Sequence, residues 1–296
     1  MAALGLNFAR IVRQIRPRRE FLSDKHVKVV SAGGFPYEAF NGKAQVTPWS
    51  ILRMVEFARN GAFNKFSPDE NCFLELDKIY QGHLVFIAST TTKVAPNFYD
   101  YSVSKGPLEI HVELVNVGKT SFGLRTLLFQ ENKLNVPLCE NYVMSVFVDI
   151  VERKPSQPPK WWLEKYKQGL EEKPSPRFQR HVVPESGILS NYQMQIEASH
   201  LDNYWHTNWA QYLKFSYNAF VDFAVSKQNP KNIQSAFRKC KEFSLLYLQE
   251  SNLKDNLDVD LWKDSENLDL FKFQIRKKQD VLCESQIEFY PEEPDE

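Results

Sequence analysis

Cysteine is scarce and unpatterned in this 296-residue chain. Cys72, Cys139, Cys240 and Cys283 form no C-x-x-C pair and have no histidines at zinc-site spacing. That argues against a metal centre or a disulfide framework, and for reduced thiols in a cytosolic or matrix compartment. An excess of one charge is lacking too. Lys plus Arg and Asp plus Glu number 37 each, so no overall field draws the chain to nucleic acid or to an anionic surface. No window approaches about eighteen uninterrupted apolar residues, so no membrane span is expected. No G-x-S-x-G elbow occurs, which removes a serine triad of that type. The stretch NVGKTSFG (116–123) lacks the upstream glycine of a phosphate loop and reads as a hairpin turn.

What is present favours a large core. Hydrophobic residues make up 43% of the chain, and 22 phenylalanines suit deep apolar packing or an apolar pocket. The first nineteen residues carry Arg10, Arg13, Arg16, Arg18 and Arg19 with no acid before Glu20, and Leu4, Phe8, Ile11, Val12 and Ile15 recur at helical spacing. This is the composition of a mitochondrial import signal, or of a basic amphipathic helix that docks on the domain or on a surface. The expected location is the mitochondrial matrix or the cytoplasm. The tail PEEPDE is acidic and broken by proline.

The chain contains two copies of one plan, spaced by roughly 150 to 160 residues. FNGKAQVTPWSILRMVEFAR (40–59) lies without a gap on LDNYWHTNWAQYLKFSYNAF (201–220), placing Gly42 opposite Asn203, Gln45 opposite His206, Thr47 opposite Asn208, Leu52 opposite Leu213 and Ala58 opposite Ala219. Each copy orders a short strand, a polar loop and a mostly apolar helix. LEIHVELVNVGKTSFGLRTLLF (108–129) then matches LDVDLWKDSENLDLFKFQIRKK (257–278), each an alternating strand, a polar turn and a second alternating strand. One more strand follows in each copy, around 142–151 and 282–290.

The divisions expected are a basic segment at 1–24, a first unit at 25–153, a linker at 154–179, a second unit at 180–290 and a tail at 291–296. Pro-rich ends frame a short linker helix from about 160 to 172, pinned by Trp161 and Trp162. In the first apolar helix Thr47 is the N-cap and Pro48 takes the first turn; in the second, Asn208 is the cap. Both helices are apolar on nearly every face, as buried helices are. A third, amphipathic helix is predicted over about 233–249, and residues 61–107 show no clear period.

The stretch HLDNYWHTNWAQY (200–212) crowds polar and aromatic groups at the mouth of the second apolar helix. There, free backbone N–H groups and the positive end of the helix dipole converge, so an oxygen that gains charge during reaction is stabilised. Asp202 could activate a water as general base or attack a carbonyl itself, with His206 and Asn208 orienting the water or holding the carbonyl. Singly, each has a plainer role: Asp202 in a turn, Asn208 as a cap, His206 as an ordinary bonded histidine. Glu56, set among Met54, Val55, Phe57 and Ala58, is either a salt-bridge partner of Arg53 or Arg59 or a second catalytic carboxylate.

These residues carry a family resemblance. DNYWHTNWAQY resembles the D-x-N-x-H-V-N-N-x-x-Y signature of acyl-ACP thioesterases and their acyl-CoA thioesterase relatives, with Asp202, His206, Asn208 and Tyr212 at matching positions. Tyr204 stands where that signature has Asn, Thr207 where it has Val, and Trp209 where it has the second Asn. LRMVEFAR similarly resembles the L-x-x-x-E-x-A-R helix of hot-dog thioesterases through Leu52, Glu56, Ala58 and Arg59. The likeness covers roughly 25–153 and 180–290.

It implies an α+β protein, a double hot-dog of two antiparallel sheets, each wrapped around a central apolar helix and joined side by side. The implied activity is hydrolysis of fatty acyl-CoA or acyl carrier protein thioesters. Asp202, His206, Asn208 and Glu56 are the catalytic candidates, Tyr204, Trp209 and Tyr212 the substrate contacts, and no metal or organic cofactor is required. The first copy has Gln45 and Thr47 where the second has His206 and Asn208, so one site per chain is expected, in a monomer or homodimer. The rival readings are an acyl-thioester hydratase or dehydratase, and a noncatalytic acyl-binding or scaffold protein.

Overall fold

The structure, a computed structural model, describes residues 11, 14–67, 69–170, 176–184, 186–227, 233 and 236–291. Most of the basic segment's first thirteen residues and the tail from 292 therefore lie outside the described residues. The chain divides into two compact units. The first takes its described residues from Met1–Phe35, Met54–Thr90 and Asp100–Arg177, the second from Pro36–Arg53, Thr91–Tyr99 and Phe178–Glu296. Helix α1 (Pro48–Phe63) and strand β3 (His83–Val94) cross from one set to the other.

The first unit holds β1 (Arg18–Ser23), β2 (His26–Ser31), most of β3, β4 (Leu108–Val117), β5 (Ser121–Gln130) and β6 (Cys139–Asp149), in the order β1-β2-β4-β5-β6-β3. The pairs from β1 through β6 are antiparallel. Alternation along the strands sends side chains to opposite faces. Val27 and Val29, Ile110 and Val112, Phe122 and Leu124, and Val143 and Phe147 are buried, while His26, His111, Glu113, Arg125 and Glu140 occupy the other face. On that face Arg125 donates two hydrogen bonds to Glu113 and His111 meets Glu109 at 2.8 Å. From α1 this unit buries Met54, Val55, Ala58, Ala62 and Phe63.

Helix α2 (Leu76–Ile79) is a single turn. The linker helix α3 (Lys160–Lys167) ends sooner than its sequence pattern suggests: Gln168 is already extended, and Gly169 takes a left-handed φ of 65° that ends the helix. Of the two tryptophans expected to pin it, Trp162 is fully buried against Phe122, Phe147 and Tyr166 and donates to the Leu74 carbonyl (2.8 Å), whereas Trp161 is partly exposed.

The second unit orders β7 (Ser190–Gln195), β8 (Cys240–Tyr247), β9 (Asn256–Lys263), β10 (Leu270–Lys277) and β11 (Asp280–Phe289) as β8-β11-β10-β9-β7, with every pair antiparallel. Helix α4 (Trp209–Lys227) packs on β7, β9, β10 and β11. Phe220 lies 4.4 Å from Phe289 and 4.8 Å from Phe271, ring centre to ring centre. Where the sequence predicts a third helix over about 233–249, residues 240–247 instead form strand β8, because hydrogen-bond pairing with β11 satisfies their backbone and buries Phe243 and Leu245. The region read as aperiodic, 61–107, contains the 12-residue β3.

Candidate functional site

Both loops that lead into the long helices belong to the second unit, and they are built alike. A one-turn 3-10 helix precedes each, Tyr37–Ala39 and Ala198–His200. Phe40 bridges Val46 in the first loop, as Leu201 bridges Thr207 in the second. The Asn41 N–H donates to the Gln45 carbonyl and the Asp202 N–H to the His206 carbonyl, each at 2.8 Å. Asn41 Oδ1 accepts the N–H groups of Lys43 (2.9 Å) and Gln45 (3.1 Å); Asp202 Oδ1 accepts those of Tyr204 (2.8 Å) and His206 (3.3 Å). Ala44 and Trp205 share a left-handed φ, 53° and 65°. Both turns use a side-chain carbonyl oxygen at this place. Asparagine supplies it in the first loop, so the negative charge of Asp202 is not required to shape the second.

Asn208 is completely buried, and its Oδ1 accepts the Ala210 N–H (2.9 Å), the N-cap bond of α4. Its own N–H goes to the His200 carbonyl, and the Gln211 N–H to the Asn208 carbonyl. The amides of Asn208, Ala210 and Gln211 are thus spent within the protein. The helix start contributes its dipole to the site more than a set of open donors.

His206 Nδ1 lies 3.4 Å from Glu250 Oε2, both side chains being partly exposed. Glu250 was not singled out from the sequence. It lies just after β8 and far from His206 in sequence; the antiparallel bridge between His206 and Asn252 and the Thr207 N–H bond to the Ser251 carbonyl bring it to the loop.

A buried set of hydroxyls lies beside this pair. Ser251 Oγ donates to Thr207 Oγ1 (2.8 Å). Ser251 has one hydroxyl proton, so Tyr212 is the donor in the 2.9 Å bond to Ser251 Oγ, and Tyr212 Oη accepts the Ser251 N–H (3.1 Å). Burial pushes the Tyr212 phenol well above its ordinary range, which keeps it protonated and able to donate.

Of the aromatic candidates, Tyr212 is buried in this network, Tyr204 is exposed, and Trp209 is half-buried with its carbonyl accepting from Tyr247 Oη (3.1 Å). Glu56 is half-buried on α1, in the first unit. All four cysteines are buried and free, and burial pushes their thiols up, Cys72 to about 11. Among the described residues no group of three or more His, Cys, Asp or Glu side chains is gathered to hold a metal ion, and no helix is long and apolar enough to cross a membrane.

The chain has the hot-dog fold. It resembles the 12:0-ACP thioesterase from Umbellularia californica with a TM-score of 0.69 at 11% identity, over 92% of this chain and 100% of that one. It also resembles an acyl-ACP thioesterase from Bacteroides thetaiotaomicron, with a TM-score of 0.63 at 12% identity over 91% and 100% of the two chains. A protein designated oleoyl thioesterase from Lactobacillus plantarum gives 0.65 at 12%, over 90% and 97%. No family model and no curated protein matches the sequence. At these identities the likeness is one of fold.

Proposed function

We propose that the chain is an acyl thioesterase that hydrolyses fatty acyl-CoA or acyl carrier protein thioesters to the free fatty acid. The observation that carries this reading is the contrast between the two loops. They share one backbone, yet only the second has an acid at the turn, a histidine at the position of Gln45, and a glutamate beside that histidine. A charge that the loop does not need for its shape is one available for chemistry. In this mechanism Asp202 acts as general base toward water, or as nucleophile toward the thioester carbonyl. His206, held against Glu250, orients the water or stabilises the developing charge, and the dipole of α4 favours the oxyanion. The thioesterase names of the structural neighbours agree with this reading.

A noncatalytic acyl-binding role is the second reading. It is favoured by the Asp202 Oδ1 bonds to Tyr204 and His206, the pattern of an ordinary turn. The two are separated by thiol release from a series of acyl-CoA and acyl carrier protein thioesters, with wild type and Asp202→Asn. Turnover that collapses in the variant supports hydrolysis; binding of acyl chains without turnover in either protein supports the second reading.

A further inference from the structure

We propose that the buried hydroxyl chain Tyr212–Ser251–Thr207 is a positioning device that holds His206 against Glu250. The role of that pair in catalysis rests on the thioesterase reading; its geometry does not.

An isolated antiparallel bridge joins the loop to the segment after β8. His206 pairs with Asn252, and the Thr207 N–H donates to the Ser251 carbonyl at 3.0 Å. In this register Thr207 lies directly across from Ser251, and His206 is the diagonal neighbour of Glu250. Successive side chains on a strand face opposite ways. One face of the paired segments therefore buries the hydroxyls, and the other presents the imidazole and the carboxylate. A slip of one residue would exchange the two faces.

The His206–Glu250 contact does not secure itself. Both side chains are partly exposed, and an exposed ion pair gains little against the entropy of ordering its partners. The hydroxyl face is different: Thr207, Ser251 and Tyr212 are all buried, and the two side-chain bonds run in one direction, from phenol to serine to threonine. It can pin the register from below.

The first loop acts as an internal control. Val46 stands at the place of Thr207, buried on the same backbone. A hydroxyl is thus unnecessary for folding this kind of loop, and its presence in the second loop calls for another role. The thioesterase signature also has Val here, so the pin accounts for one of this chain's departures from it.

The test compares Thr207→Val, which keeps the shape and removes the acceptor, with Thr207→Ser, which keeps the oxygen. Two readouts are taken on the full chain. The first is the ring 13Cε1 NMR signal of His206, assigned with His206→Gln and referenced to its position in Glu250→Gln. The second is kcat and KM for acyl-CoA hydrolysis. The expected result is that Thr207→Val moves the His206 signal toward its Glu250→Gln position and lowers kcat by roughly tenfold or more, within the ~100-fold that a 1 Å misplacement can cost, with KM little changed. Thr207→Ser restores most of both. An unmoved signal in Thr207→Val, or an equal shift in Thr207→Ser, overturns the proposal, because packing alone would then explain the site. If Thr207→Val does not fold, Tyr212→Phe removes the first proton of the chain and takes the same readouts. Should the wild type release no thiol from any thioester, the thioesterase reading falls while the NMR comparison still decides the pin.

Discussion

Asn41 and Asp202 occupy the same place in two copies of one loop, and each accepts two backbone N–H groups through its Oδ1. Asp202→Asn should therefore leave the second loop folded. We expect its unfolding free energy to stay within ~0.5 kcal/mol of wild type and thiol release from acyl-CoA to fall by roughly 10²-fold or more. Thermal melts and steady-state kinetics on the same preparations check both parts. A variant with full turnover would remove Asp202 from the mechanism.

Glu250 is half-exposed beside His206, so its charge contributes little to stability. Glu250→Gln should melt like wild type, within ~0.5 kcal/mol, and lose about 10- to 100-fold in kcat. If kcat is unchanged, the contact with His206 is incidental.

Asn208 caps α4 from a fully buried position. Asn208→Ala leaves the Ala210 N–H without its partner and should lower the unfolding free energy by about 1–2 kcal/mol, seen as a shift of the urea midpoint at constant slope. A loss below ~0.5 kcal/mol would mean that the helix start finds another acceptor.

Glu75 pairs with Lys78 and, at 2.9 Å, with Lys165, and hydrogen bonds from Lys78 first and Lys165 after it hold its carboxyl down at about 2. A lowered folded-state value means stability that is present above the unfolded-state value near ~4.3 and is lost as pH falls toward about 2. Glu75→Gln should be less stable than wild type by about 1 kcal/mol at pH 7, after allowance for solvent screening. The difference should close on acidification through that window. Denaturant midpoints of the two proteins between neutral and strongly acidic pH test this, and a gap that persists at the acid end would assign the loss to packing.

Much of the fold was legible in the sequence. The alternating runs at 108–129 and 257–278 became the β4–β5 and β9–β10 hairpins, because residues two apart share a face and one face of each strand is buried. The ungapped match of the two polar loops proved to be a match of hydrogen bonds and of a left-handed residue. Sequence is ambiguous where a short apolar run fits two periods. In residues 240–247 the alternatives were decided by a partner strand, β11, that local sequence does not identify.

The repeated loop-and-helix plan, and the restriction of Asp202 and His206 to its second copy, can be read from the chain without a structure. Residue types and their order suffice for that, since turns, caps and strand alternation are local. The meeting of Glu250 with His206, and of Ser251 with Tyr212 and Thr207 behind them, arises only on folding. These contacts link segments some forty residues apart, and a pairing register between two stretches of backbone has no signature in either stretch alone.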